Sequence, residues 1–173
     1  MRNALVVALA GALAVLAVSA ASASSPVVSA VGSSHWTIEL PNPFGVTVLN
    51  RTLSFNARKD AGGSATGHFE YHQIEVESGA TFKFNVDVTC MNVYDGNRAK
   101  IGGVIVVSND PTLPAGGYAW FQVFDNGEGD GAPADRSSLV GFGDEAANEA
   151  FCNSSNLPRF GPWDVQGNIQ VSG

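Results

Sequence analysis

Basic residues are scarce in this chain: nine Lys and Arg stand against 16 Asp and Glu, a net charge of −7. A surface of that sign repels phosphate backbones and anionic headgroups, so nucleic acid and direct lipid binding are excluded as functions. The only adjacent basic pair, Arg58-Lys59, is too small a patch to reverse this. Catalytic signatures are missing as well. There is no Gly-x-Ser-x-Gly elbow, no His-Glu-x-x-His, no phosphate loop, no dinucleotide fingerprint and no Cys-x-x-Cys. After residue 18 no stretch sustains a helical period, and none nears the roughly 20 apolar residues of a membrane span. Cysteine is limited to Cys90 and Cys152.

What is present begins with a leader. Met1-Arg2-Asn3 carries one positive charge, residues 4–18 hold no polar side chain, and Ser19-Ala20-Ala21-Ser22-Ala23 is small. This layout reads as a secretory signal peptide over residues 1–23, cut after Ala23. No Cys follows the cut to take a lipid anchor. The expectation is a secreted, extracellular protein with no membrane insertion once the leader is removed. The mature chain is more acidic by the loss of Arg2, and its roughly 150 residues suffice to bury a core without a metal. Residues 24–45 are Ser-rich and then carry Pro41-Asn42-Pro43, so they read as a linker or a loosely docked arm. Residues 46–173 read as one domain.

That domain is patterned as strands. Thr52-Leu53-Ser54-Phe55-Asn56-Ala57 alternates with period two, residues 59–64 form a turn, and a strand follows over 68–76. Phe82, Phe84, Val86, Val88 and Cys90 share one apolar face, and Asp95-Gly96 supplies a two-residue hairpin turn. Pairing Tyr94 with Asn97 sets Cys90 against Ile101, Val88 against Gly103, Val86 against Ile105 and Phe84 against Val107. Gly102-Gly103 predicts a bulge or a close crossing. Residues 118–124 are apolar on both faces and read as a central strand. Short strands follow at 138–142 and 168–171, with one or two helical turns over 144–151. The fold class is all-β: a single antiparallel β-sandwich or β-barrel. Cys90 and Cys152 are expected to form a disulfide, with Cys90 on the apolar face and Cys152 in an irregular segment.

Three groups of residues carry candidate chemistry. The acidic loop 125–135 offers hard oxygen ligands, so a weak calcium site at Asp125, Asn126, Glu128 and Asp130 is a candidate. A true EF-hand is excluded, because its twelfth position falls on Ser137 instead of Glu. Asp125, Glu128, Asp130, Asp135, Asp144 and Glu145 offer carboxylate pairs of the kind a glycosidase uses. Trp36, Trp120 or Trp163, if exposed, could stack on sugars. His68, Glu70 and His72 share a strand face, with Phe69 and Tyr71 turned to the core. His68 and His72 lie roughly 13 Å apart, too far for one ion to take both. Catalytic residues are therefore expected to be none. Asn50-Arg51-Thr52 and Asn153-Ser154-Ser155 are glycosylation sequons that matter only in a host with an endoplasmic reticulum.

The segments Thr89-Cys90-Met91-Asn92-Val93, Gly96-Asn97-Arg98-Ala99-Lys100-Ile101-Gly102-Gly103, Asp125-Asn126-Gly127-Glu128-Gly129 and Gly167-Asn168-Ile169-Gln170-Val171 resemble a family of uncharacterised secreted bacterial proteins of actinobacterial type. The likeness runs from about Leu53 to Val171, and it implies export and a β-rich domain without supplying catalytic residues. The resulting expectation is a secreted, non-enzymatic β domain that binds an extracellular ligand or an envelope component. It needs no cofactor, with calcium the one candidate. The alternative is an extracellular carboxylate-dependent glycoside hydrolase or a carbohydrate-binding module.

Overall fold

The structure, a computed structural model, describes residues 28–157 and 161–173. The leader and its cut at Ala23 lie outside the described residues. The described strands are β1 (Val28–Asn42), β2 (Gly45–Lys59), β3 (Ala65–Glu75), β4 (Thr81–Tyr94), β5 (Arg98–Ser108), β6 (Tyr118–Phe124), β7 (Arg136–Ser137), β8 (Gly141–Gly143), β9 (Trp163–Asp164) and β10 (Gln166–Ser172). One helix, α1 (Glu145–Asn153), lies between β8 and β9. All strands belong to a single antiparallel sheet in the order β10-β1-β2-β3-β4-β5-β6-β7-β9, with β8 on β6. The all-β class is as expected. The barrel alternative is not, because the sheet is open.

The sheet curls until its apolar face packs on itself. Phe121 of β6 meets Phe55 of β2 edge-on at 5.3 Å and Phe69 of β3 at 4.9 Å between ring centroids. Leu53, Phe69, Phe121, Met91, Ile101, Ile105 and Ile169 are all essentially without solvent contact. Each such side chain contributes roughly 1.5–3 kcal/mol on burial, so this cluster is what holds the curl. The open seam is bridged by side chains. The Val171 N–H donates to Asp125 Oδ2 at 2.9 Å, and the Ile169 N–H donates to Asp135 Oδ2 at 2.8 Å. Two carboxylates thus satisfy edge-strand donors on β10 that a ladder would otherwise take.

Residues 28–42 correct the expectation of an arm over 24–45. They form β1, paired with β2 along its whole length and with β10 over Ser29 to His35. Ala30, Trp36 and Ile38 are buried in the core. Period-two burial of Ala30, Ser34, Trp36 and Ile38, masked by the Ser-rich composition, is what fits this segment to a sheet.

The hairpin β4–β5 also departs from its predicted register. Asp95 (φ 57°) and Gly96 (φ 79°) take the left-handed conformations expected of the turn. Tyr94 nevertheless pairs with Arg98. Asn97 is drawn away, its C=O accepting from the Asp125 N–H at 2.8 Å and its Nδ2 donating to Asp125 O at 3.0 Å. A register shift at Thr89 then restores the pairs Val88–Gly103 and Val86–Ile105, and a second shift sets Phe84 against Ser108 instead of Val107. Between the turn and Thr89 every side chain is reversed. Met91 enters the core, and Cys90 opposes Gly102 and turns to the outer face.

The outer face is where α1 sits. Asp144 caps the helix by accepting from the Ala147 N–H at 2.9 Å. Asn148 and Cys152, one turn apart, are buried against the sheet. Cys152 bonds Cys90 with Cα atoms 6.1 Å apart, so the expected disulfide is present. Its setting differs from the expected one: Cys152 lies on a helix, and the bond clamps that helix to the outside of the sheet. Gly102 makes the contact feasible, because a Cβ there would collide with Asn148 Oδ1. The close crossing predicted from Gly102-Gly103 is this one. Of the strand expected at 138–142 only residues 141 and 142 are strand, in β8, and β7 precedes the expected span.

Candidate functional site

Inward-facing residues of the curled sheet stack in rows across the strands. Gly32, Phe55, Phe69 and Val86 form one row, and Ser34, Leu53, Tyr71 and Phe84 form the next. The row beyond is Trp36, Arg51, Gln73 and Phe82. Arg51 stands in β2 between Leu49 and Leu53, on the same side of the alternation as those two buried residues. A guanidinium is thereby placed on the core face, at the level where the core opens to solvent.

Here the sheet forms a solvent-open cavity of about 300 Å³, lined by Arg51, Tyr71, Gln73, Phe82, Phe84 and Phe142 among others. Leu113 and Asp110 from the β5–β6 loop and Leu139 and Val140 from the β7–β8 segment complete its wall. Tyr71 stacks on Phe84 at 5.0 Å, and Phe142 meets Phe84 edge-on at 5.5 Å. Gln73 Oε1 accepts from Arg51 Nε at 2.9 Å and from the Tyr71 hydroxyl at 2.9 Å. Burial pushes the Tyr71 hydroxyl up to about 12, so it stays a proton donor to Gln73 at any physiological pH. Burial also holds Arg51 below the usual guanidinium value. No carboxylate lies within ion-pair distance of Arg51: the ion pairs among the described residues are Lys83–Glu70, Arg98–Asp95 and Arg136–Asp164. Trp36 Nε1, next to Arg51 in the row, is buried and donates to nothing.

The other buried cations are engaged differently. Lys100 Nζ donates to Phe151 O at 3.2 Å and sits 4.6 Å over the Phe151 ring. Arg98 pairs with Asp95 and lies 5.1 Å over the Tyr94 ring. Lys100 borders a larger outer groove, about 560 Å³, between α1 and β6. Its ammonium there secures the last turn of the helix, where the Phe151 carbonyl, which also accepts from the Ser154 N–H, and the helix dipole both favour a cation.

The candidates from the acidic loop have structural duties. Asp125 accepts from the N–H groups of Gly127 and Val171, and Asp135 from those of Asn126 and Ile169. Asn126 Nδ2 donates to the Ala134 carbonyl, and Asp144 is the helix cap. Glu128 and Asp130 are exposed. Among the described residues no three His, Cys, Asp or Glu side chains gather as a metal site requires. His68, Glu70 and His72 do share the outer face of β3, with Phe69 and Tyr71 buried beneath. Glu70 is taken by Lys83 at 3.1 Å, and His35 Nδ1 lies 3.3 Å from Thr52 Oγ1. None of the three Trp residues is exposed: Trp36 is core, Trp163 is half-buried, and Trp120 stacks on Phe151 at 5.9 Å. Trp36 is thereby removed as a stacking residue, and Trp120 lines the outer groove half-buried.

Sequence reasoning missed Arg51. Its signal was a charged residue on the apolar side of a period-two pattern, Leu49, Arg51, Leu53, Phe55. Comparisons with protein families, with curated proteins and with solved structures return no match, so the cavity stands on its own geometry.

Proposed function

We propose that this chain is an exported, non-enzymatic binding domain that takes a small molecule into the cavity around Arg51. The observation that carries the reading is a half-buried guanidinium, without a carboxylate partner, lining a cavity whose other walls are largely apolar. Ligand sites have this make-up, apolar walls with a few polar groups that fix orientation. Export is supported by the leader pattern at residues 1–23, by the Cys90–Cys152 bond, and by the lack of any described helix long and apolar enough to span a membrane. The family likeness of residues 53–171 points the same way.

The hydrolase alternative has less support. Asp125, Asp135 and Asp144 are engaged in backbone hydrogen bonds, and carboxylates so held are poorly placed to serve as acid and base. Calcium is not required by the binding reading.

The test is a mixed small-molecule library screened by amide and side-chain NMR on the secreted protein. Perturbations should cluster at Tyr71, Gln73, Leu113 and Phe142. A library that leaves those signals still, with hydrolysis of a glycoside by the same sample, would favour the alternative. Mass spectrometry of the culture supernatant should find a chain beginning at Ser24, and a chain retaining residues 1–23 would contradict export with cleavage.

A further inference from the structure

We infer that the cavity selects a small organic monocarboxylate with an apolar or aromatic body, its carboxylate held by the two terminal nitrogens of Arg51. This rests on the binding reading above and adds the chemical class of the ligand.

Three features of the site specify that class. The first is the unused donor set. Arg51 Nε is committed to Gln73, and no acceptor among the described residues engages the terminal nitrogens. Those two N–H groups form the fork that a planar carboxylate matches with paired hydrogen bonds. Gln73 Oε1 already accepts twice, which leaves its Nε2 as a further donor beside the fork. The Arg51 end of the site therefore presents unused donors on a cationic group, the local complement of an anionic acceptor.

The second feature limits the charge. Arg51 is the one basic residue lining the cavity, and Asp110 lines it too. Asp110 keeps its place by accepting from the Thr112 N–H at 2.8 Å and from the Thr112 hydroxyl at 2.7 Å. With one cation and one fixed anion on the wall, a single carboxylate at Arg51 is matched, and the second charge of a phosphate monoester finds no cation and meets Asp110.

The third feature sets the body of the ligand. Phe82, Phe84, Leu113, Val140 and Phe142 supply apolar wall and aromatic edges. The volume, about 300 Å³, lies at the lower end of the range for ligand sites. It suits a single ring or a short branched chain and is small for a disaccharide.

The probes are phenylacetate, its neutral isostere phenylacetamide, and phenyl phosphate, titrated against the secreted protein by calorimetry, with Gln73 and Trp36 side-chain signals read by NMR. Phenylacetate should bind at least about tenfold more tightly than the amide, as expected when a charge-assisted pair replaces a neutral one. Phenyl phosphate should bind more weakly than phenylacetate. Arg51→Gln should erase the preference, and Arg51→Lys should keep part of it. Leu113→Trp, a loop substitution that fills the cavity and leaves Arg51 in place, should abolish binding of all three and serves if Arg51→Gln does not fold. Equal binding of acid and amide, or a preference that survives Arg51→Gln, would overturn the carboxylate assignment and leave the binding reading standing. So would silence from all three probes while neutral library compounds still shift the cavity signals. If no compound of any kind shifts them, both readings fall.

Discussion

Two levels of one interior, a few residues apart along the same strands, are built on opposite terms. At the inner level Phe55, Phe69 and Phe121 interlock edge to face, with the small hydroxyl of Ser34 the polar group in the next row outward. At the mouth, Arg51 and Tyr71 share one acceptor, Gln73 Oε1, and the guanidinium has no carboxylate partner among the described residues. The inner level is what a sequence selected for stability produces. The outer level leaves a charge half-buried and unpaired, which costs stability. Such arrangements persist where function uses the group, and this contrast is the reason to place function at the mouth.

The contrast can be broken from the inside first. Phe121→Ala removes the ring at the centre of the aromatic cluster and should lower the unfolding free energy by about 3–5 kcal/mol. Urea denaturation measures it, and a loss under ~1 kcal/mol would show that the curl is held by something else. The disulfide is the next lever, and it acts outside the core. Cys152→Ser opens a loop with a sequence separation of 62. The chain-entropy account puts the loss at up to about 4 kcal/mol, reduced by any strain in the bond. Because the bond clamps α1 to the outer face, hydrogen exchange in the variant should rise first over 145–153, with the β2–β3 amides at the mouth still protected. Simultaneous loss of both would mean that helix and mouth form one cooperative unit.

The sequence made the strand regions legible wherever alternation and turn chemistry agreed. The 59–64 turn and β3 were readable that way, β6 as a run apolar on both faces, and the pairing of Cys90 with Cys152 from there being two cysteines in an exported chain. It misled where a tertiary contact redirected a local rule. Asn97 bonds to Asp125, so the Asp95-Gly96 turn gains a residue, and the bulge at Thr89 returns the register to phase. Neither event is local to the hairpin sequence. The acidic loop misled in another way. Its carboxylates suggested a ligand site, but the β10 edge needed acceptors, and Asp125 and Asp135 are those acceptors. The mouth was visible in part: Arg51 broke an apolar alternation. Its meaning depended on which residues the curl set beside it, and strand order is not written in any one segment.

The smallest expected effect is the most telling. Arg51→Met keeps the unbranched stem of the side chain and removes the guanidinium with its charge, and it leaves the Tyr71–Gln73 hydrogen bond intact. If Arg51 is kept for a ligand, the fold has no need of its charge. The unfolding free energy of Arg51→Met, measured by urea denaturation without ligand, should match the wild type within ~0.5 kcal/mol or exceed it, as when a buried ion gives way to an apolar side chain. A loss of about 2 kcal/mol or more, the size of a broken buried network, would show that Arg51 is structural and contradict the account.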